Sequence, residues 1–295
     1  MEKSSISKII QAGKIASQVK DFARELIKPG VPLLEIAEKI EQQIRDLGGE
    51  PAFPVNLSIN EIAAHYTPSH NDKTLANGLL KVDIGVHIDG WIADTAFTLD
   101  LEGNSENKKL IDTAEESLKN ALKIIKLGVS TNDIGNEIHR TCISNNLNPI
   151  VNLSGHEIDR YDLHAGITIP NINDKKDVKL HQGIYAVEPF VTSGGGRVYE
   201  GKPSGIFILL NTKSVRTPLA REILTYIVDE YGNLPFCSRW LVKKFGTKAI
   251  IALSQLENGK NIYQYPQLIE SSKAKVAQAE ETIFIKEDET LITTK

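Results

Sequence analysis

Cysteine is scarce in this 295-residue chain. Cys142 and Cys237 are its only two, far apart and in no Cys-x-x-Cys spacing, which argues against a disulfide framework and against a thiolate zinc site. A reducing compartment is the simpler expectation. Long apolar runs are lacking as well: the N-terminus reads Met-Glu-Lys-Ser-Ser and moves into an amphipathic pattern rather than a signal peptide, and no later run is long enough to span a bilayer. A cytoplasmic protein with no membrane partner is therefore expected. A strong excess of one charge is also missing, since 34 Lys and Arg stand against 38 Asp and Glu for a formal net charge of -4, so nothing demands nucleic acid or an anionic membrane as partner. What remains is the composition of an ordinary globular protein, 41% hydrophobic and 24% charged, at a length that suits one large domain or a domain carrying an insertion.

Apolar residues recur at helical spacing over residues 5–28 (Ile9, Ile10, Ala12, Ile15, Ala16, Val19, Phe22, Ala23, Leu26, Ile27), and Pro29-Gly30 stops the pattern. A second helix carries Leu34, Ile36, Ile40 and Ile44 and ends at Gly48-Gly49, after which residues 53–58 read as extended. The same order then returns. Residues 109–126 are helical, Gly128-Val129 interrupts, a helix carries Ile134, Ile138 and Cys142, and residues 150–154 read as extended. Lys28-Pro29-Gly30-Val31 matches Lys126-Leu127-Gly128-Val129, and Asn56-Leu57-Ser58 matches Asn152-Leu153-Ser154. This is a diverged internal repeat, with a chance match of helix-loop patterns as the alternative. Two such halves can pack about a pseudo-twofold axis and bring polar groups from both to the centre.

Residues 197–263 break the repeat. They hold a Pro218-initiated helix with Leu219, Ile223, Leu224, Ile227 and Val228, two shorter helical stretches around Leu241 and Ile251, and then Gly259-Lys260 before an extended segment. We read a mostly helical insertion, followed by one strand-like run over residues 276–285.

The segment Val82-Asp83-Ile84-Gly85-Val86-His87-Ile88 and the segment Trp91-Ile92-Ala93-Asp94-Thr95-Ala96-Phe97 flank Asp89-Gly90, a strong hairpin signal. A two-residue loop there pairs Gly85 with Asp94 and Asp83 with Ala96, which puts both aspartates on one face as diagonal neighbours, about 7–8 Å apart at the backbone. Carboxylates rising from the apolar middle of a sheet need a compensating charge; a hairpin whose aspartates face solvent is the alternative. Glu188 after Ile184-Tyr185-Ala186-Val187 and Glu280 within residues 276–285 are further carboxylates in strand-like settings, while His156 follows Gly155 and His164 precedes Ala165-Gly166. One imidazole and four carboxylates suit a pair of divalent cations such as Mn²⁺, Fe²⁺, Co²⁺ or Zn²⁺.

At these residues the chain resembles the methionine aminopeptidases, over essentially its whole length. The resemblance implies an α+β fold, the pseudo-twofold pita-bread fold shared with aminopeptidase P, prolidase and creatinase. By the family pattern Asp83, Asp94, His156, Glu188 and Glu280 are the metal ligands, with Asp94 and Glu280 bridging two divalent ions. His65 in Ala63-Ala64-His65-Tyr66-Thr67-Pro68 and His164 in Leu163-His164-Ala165-Gly166 match substrate-contacting positions that act with Glu188 in catalysis, and Phe53, Leu163 and Tyr265 match positions lining a methionine pocket. For these last three, core packing is the rival role. The insertion between the two glutamates makes the chain look like the type 2 form, where it resembles a winged helix, and the missing charged N-terminal extension makes it look archaeal. Residues 1–196 and 266–295 then form the catalytic domain and residues 197–265 the insertion. Glu281 stands where the family more often has histidine.

The implied activity is removal of the initiator methionine from nascent polypeptides with a small second residue, by a monomer in the cytoplasm; ribosomal docking is left open. Two rival readings are weighed against it. Proline-specific peptidases of the same fold usually carry a separate N-terminal domain, for which there is no room ahead of residue 81. A non-enzymatic binding module draws on Arg239, Lys243, Lys244 and Lys248, for which a solvated helix face is the alternative.

Overall fold

The computed structural model describes residues 2–295. Its first half runs α1 (Lys3–Leu26), α2 (Leu33–Asp46), β1 (Glu50–Pro51), β2 (Asn56–Ile59), β3 (Ile62–Ala64), β4 (Leu79–Ile88) and β5 (Trp91–Asp100). The second half repeats the order with α3 (Ser105–Ile124), α4 (Thr131–Ser144), β6 (Asn148–Pro149), β7 (Ser154–Ile158), β8 (Thr168–Pro170), β9 (Gly183–Val187) and β10 (Phe190–Thr192). Each helix pair lays its apolar stripe on its own sheet. Ile15, Val19, Ile36 and Ile40 pack on Val82, Ile84 and Val86, whereas Leu110, Leu118, Ile134 and Ile138 pack on Tyr185, Val187 and Ile283. Caps mark where the helices of the second half begin: Asn104 accepts from Glu106 N–H, and Ser130 Oγ from Asn132 N–H.

The repeat reaches down to single backbone bonds. Gly30 (φ +83°) donates to Ala76 O while Ala76 donates to Val31 O, and Gly128 (φ +80°) donates to Leu180 O while Leu180 donates to Val129 O. Isolated bridges join Pro32 to Leu75 and Ser130 to Lys179 at matching places. The two halves are copies of one supersecondary unit.

Between β10 and the strands that close the chain lies the segment read as an insertion: β11 (Val198–Leu209), α5 (Pro218–Glu230), β12 (Phe236–Cys237), α6 (Ser238–Phe245), α7 (Ala249–Asn258) and β13 (Ile262–Glu270). Its helices close on a core of their own, built from Ala220, Ile223, Ile227, Phe236, Leu241, Leu253 and Leu256. It is less helical than the sequence pattern suggested. β11 and β13 form a long antiparallel ribbon, with register shifts between Glu200 and Phe207, in a sheet of order β12-β11-β13-β3, and position 265 falls inside β13. Basic residues of α6 and of the turn after it also divide: Lys243, Lys244 and Lys248 are exposed, but Arg239 is buried against Glu41 of α2, so the solvated-face reading is corrected there.

The chain closes with β14 (Val276–Gln278), β15 (Glu281–Ile285) and β16 (Thr290–Ile292). The single strand read over residues 276–285 is in fact two, because β14 pairs with β10 whereas β15 pairs with β9 and β16. Residues 150–154 likewise differ from expectation. Ile150 and Val151 donate to Phe190 O and Gly196 O, a turn follows, and the strand starts only at Ser154. Among the described residues no helix is long and apolar enough to cross a membrane.

Candidate metal centre and active site

Hairpin β4–β5 has the register read from its Asp89-Gly90 turn: Gly85 pairs with Asp94 and Asp83 with Ala96. Ala96 in turn bridges Glu280, with Glu280 N–H donating to Ala96 O at 2.9 Å. In the other half His156 pairs with Ala186 across β7–β9, and the β15–β9 register ends on Glu281 opposite Val187, which brings Glu280 beside Glu188. Strand pairing alone thus carries Asp83 and Asp94 from one repeat, and His156 and Glu188 from the other, to one seam that Glu280 joins.

Threonines stitch this seam. Asp94 N–H donates to Thr282 Oγ1 (2.7 Å) and that hydroxyl donates to Asp94 O (2.7 Å), while Thr95 Oγ1 donates to Glu280 O (2.9 Å) and Thr98 Oγ1 to Gln278 O (2.7 Å). The backbone of Asp94 and Glu280 is fixed by side-chain bonds as well as by the ladder.

All ten sequence-predicted site residues line one cavity of about 260 Å³: Phe53, His65, Asp83, Asp94, His156, Leu163, His164, Glu188, Tyr265 and Glu280. Asp94, His156 and Glu280 offer donor atoms within 4.8 Å of one another. His156 Nε2 lies 3.6 Å from Asp94 Oδ2 and 3.9 Å from Glu188 Oε1. Its Nδ1 stands 3.4 Å from the Glu157 carbonyl, which can only accept, so the proton sits on Nδ1 and Nε2 offers its lone pair to the carboxylates' side.

Electrostatically the cluster is unbalanced. Burial pushes Asp83 up to about 7, although a hydrogen bond from Gln278 opposes it. Burial first and then mutual repulsion raise Asp94, Glu188 and Glu280 well above the carboxylate range. Among the described residues no lysine or arginine pairs with any of the four, and Asp83 Oδ1 and Asp94 Oδ1 are buried without a hydrogen-bond partner. Lys81 comes close in sequence, but its ammonium donates to Asn60 O and Val276 O instead. Oxygen-rich ligands with one imidazole, orphaned buried oxygens and no internal cation fit divalent metal ions.

Around the carboxylates the two further histidines are held neutral. Desolvation lowers His156 to about 3 and His65 to about 4, and also lowers His164. His164 lies edge-on to His156 with ring centroids 4.4 Å apart, and His65 packs on Tyr265 at 5.4 Å. His65 has φ +63°, a left-handed conformation that non-glycine residues seldom hold, and its Nδ1 is 3.1 Å from Pro266 O, which fixes the proton there. Sequence reasoning missed Asn152, Thr168, Ile206 and Pro235 in the lining, and Gln278, which donates to Glu280 Oε2 at 3.3 Å. Gln278 was accessible as the residue two before Glu280 on the same strand path; Ile206 and Pro235 come from the insertion and carry no local signal.

A donor set of this kind on a duplicated frame is that of a metal-dependent hydrolase. The sequence pattern of metallopeptidase family M24 matches residues 7–216. The chain belongs to this family and, within it, to the methionine aminopeptidases, being 48% identical over 291 residues to the methionine aminopeptidase of Thermococcus onnurineus, with 97% of this chain and 98% of the relative covered. Among solved structures, a thermophilic Arx1 is similar with a TM-score of 0.85 at 17% identity, covering 99% of this chain and 91% of that one. The methionine aminopeptidase from Thermotoga maritima is similar with a TM-score of 0.71 at 23% identity, covering 100% and 98%. At these identities the two structures speak for the fold, which is the pita-bread arrangement expected.

Proposed function

We propose that this protein removes the N-terminal methionine from nascent polypeptides whose second residue is small, working as a monomer in the cytoplasm with two divalent ions (Co²⁺, Mn²⁺, Fe²⁺ or Zn²⁺). The observation that carries the reading is the convergence of Asp83, Asp94, His156, Glu188 and Glu280 from both halves on one cavity whose other walls include Phe53, Leu163 and Tyr265. These five would hold the ions, and Asp94, His156 and Glu280 offer donor atoms within 4.8 Å of one another. When bound, the ions would supply a Lewis acid for the scissile carbonyl and lower the pKa of water to the neutral range.

The remaining chemistry belongs to the chain. Phe53, Leu163 and Tyr265 enclose the unbranched apolar side chain of methionine. Glu188 takes the proton of the attacking water and delivers it to the leaving amine. His65, with its proton committed to Pro266 O, keeps Nε2 as an acceptor for a substrate N–H. His164, neutral and beside His156, donates to the oxygen on which charge develops. Asp94→Ala and Glu280→Ala variants test this reading: each is expected to lose bound divalent metal and to release methionine from a Met-Ala-Ser peptide at a small fraction of the wild-type rate. Wild-type turnover by either variant would rule the reading out.

A further inference from the structure

We propose that the Asp89-Gly90 turn, gripped by Arg160 and Tyr161, is a latch that positions Leu163 and His164 over the metal centre. None of these four latch residues lines the cavity, so they are positioning residues rather than catalytic ones. The proposal rests on the functional reading given above.

Leu163 and His164 sit in the connection between β7 and β8, which has no regular structure beyond an isolated bridge of Asp159 to Asp162. Such a segment keeps a catalytic ring in place only if its surroundings hold it. At its base it is held locally, since Ala165 N–H donates to Glu157 O and Ile167 N–H to Glu157 Oε2. Its outer part is held by the other half of the molecule. Tyr161 N–H donates to Gly90 O (2.9 Å), Arg160 Nε donates to Asp89 O (2.9 Å), and Arg160 Nη2 lies 2.7 Å from Asp89 Oδ2, a carboxylate oxygen that Lys8 also reaches at 2.7 Å.

Shape completes the grip. The Tyr161 ring lies so close over Gly90 that a Cβ there would be 2.3 Å from two ring carbons, and the edge of His87 meets the same ring at 5.9 Å. Asp89 (φ +50°) and Gly90 (φ +82°) both take the left-handed values that a two-residue hairpin turn requires, so glycine serves the turn and the contact together. Tyr161 itself stands at φ +57°, an unfavourable conformation maintained by what it touches. Three residues further on is His164, whose ring meets His156. The hairpin that carries Asp83 and Asp94 on its stem therefore also sets, through its tip, where the loop of the opposite half puts His164.

The Arg160–Asp89 pair and the Tyr161 ring are exposed, and exposed ion pairs contribute little to global stability, so variants of these side chains keep the fold. The test measures kcat and KM on a Met-Ala-Ser peptide, with bound metal counted, for wild type, Tyr161→Ala, Tyr161→Phe, and Tyr161→Ala in a His164→Ala background. Displacement of a catalytic group by about an ångström costs on the order of a hundredfold, so Tyr161→Ala is expected to lower kcat by roughly ten- to a hundredfold with metal content unchanged. Tyr161→Phe restores the rate, and in the His164→Ala background Tyr161→Ala has little further effect. An unchanged kcat in Tyr161→Ala, or an equal fall in both backgrounds, overturns the latch while leaving the methionine-releasing activity standing. A wild-type protein that releases no methionine sinks the functional reading and the latch with it.

Discussion

Arg239 of α6 and Glu41 of α2 meet fork to fork, with Nη1 2.7 Å from Oε2 and Nη2 2.8 Å from Oε1, and both side chains are almost wholly buried. Glu41 also accepts from Trp240 Nε1 (2.8 Å), and Arg239 Nε donates to Pro68 O (3.0 Å), so every guanidinium nitrogen and both carboxylate oxygens are hydrogen-bonded. It is the polar rivet between the insertion and the first half.

Removing one partner leaves the other charged and buried. Arg239→Ala is expected to destabilise the protein by about 3–5 kcal/mol, and the double variant Glu41→Leu/Arg239→Met to recover most of that loss. Urea denaturation midpoints at constant m-value measure both.

The metal-free protein is expected to lose stability between about pH 6.5 and 8. Asp83 is raised to about 7 by burial, and Asp94, Glu188 and Glu280 are raised well above the ordinary carboxylate range by burial and mutual repulsion, whereas unfolded carboxylates ionise near 4. The folded state therefore holds more protons than the unfolded one in this window, and stability falls as pH rises. His156 and His65, lowered to about 3 and 4, act in the opposite sense, but only below about pH 6.5, where unfolded imidazoles titrate. Saturating Mn²⁺ should abolish the fall; denaturant midpoints across the range with and without the ion compare the two.

Gly85 faces Asp94 across the hairpin, and a Cβ on it would lie 2.2 Å from Phe53 Cε1. Gly85→Ala pushes the Phe53 ring toward the cavity. The expected result is a rise in KM for methionyl peptides of roughly tenfold, in proportion to about 1–2 kcal/mol of lost pocket fit, with kcat changed less. Steady-state kinetics on Met-Ala-Ser decides it.

Thr282 is fully buried and exchanges two hydrogen bonds with the backbone of Asp94. Thr282→Val keeps the shape and removes both, leaving Asp94 N–H and O unsatisfied. Divalent-ion affinity is expected to fall about 10–100-fold, as measured by competition titration with a fluorescent chelator.

Much of the centre was legible because its geometry is local. Asp89-Gly90 fixes a two-residue turn, the turn fixes the register, and the register fixes the faces of Asp83 and Asp94. Repeated helix-stop signals at Gly30 and Gly128 likewise announced a duplicated frame. What escaped depends on distant partners. Apolar alternation through residues 276–285 does not say where a strand changes neighbours, so the break at Ala279-Glu280 was invisible. Arg239 reads as one more basic residue on an amphipathic helix, since its partner lies 198 residues away. Lys81 gave no sign that its ammonium would be buried on two backbone carbonyls. The length of β11 and β13 was hidden too, because the ribbon's irregular register and its glycine and proline residues break the period-two signal.

The stitch between Thr95 and Glu280 spans 185 residues, more than half of the chain. Contacts of that reach are costly in entropy to form before the segments between them are ordered. Each half can collapse on its own helices first, while the carboxylates of the hairpin wait without their counterparts. Competence to capture ions thus arrives late in refolding, and the rate of ion uptake by a renaturing sample reports the docking of the two halves rather than the formation of either.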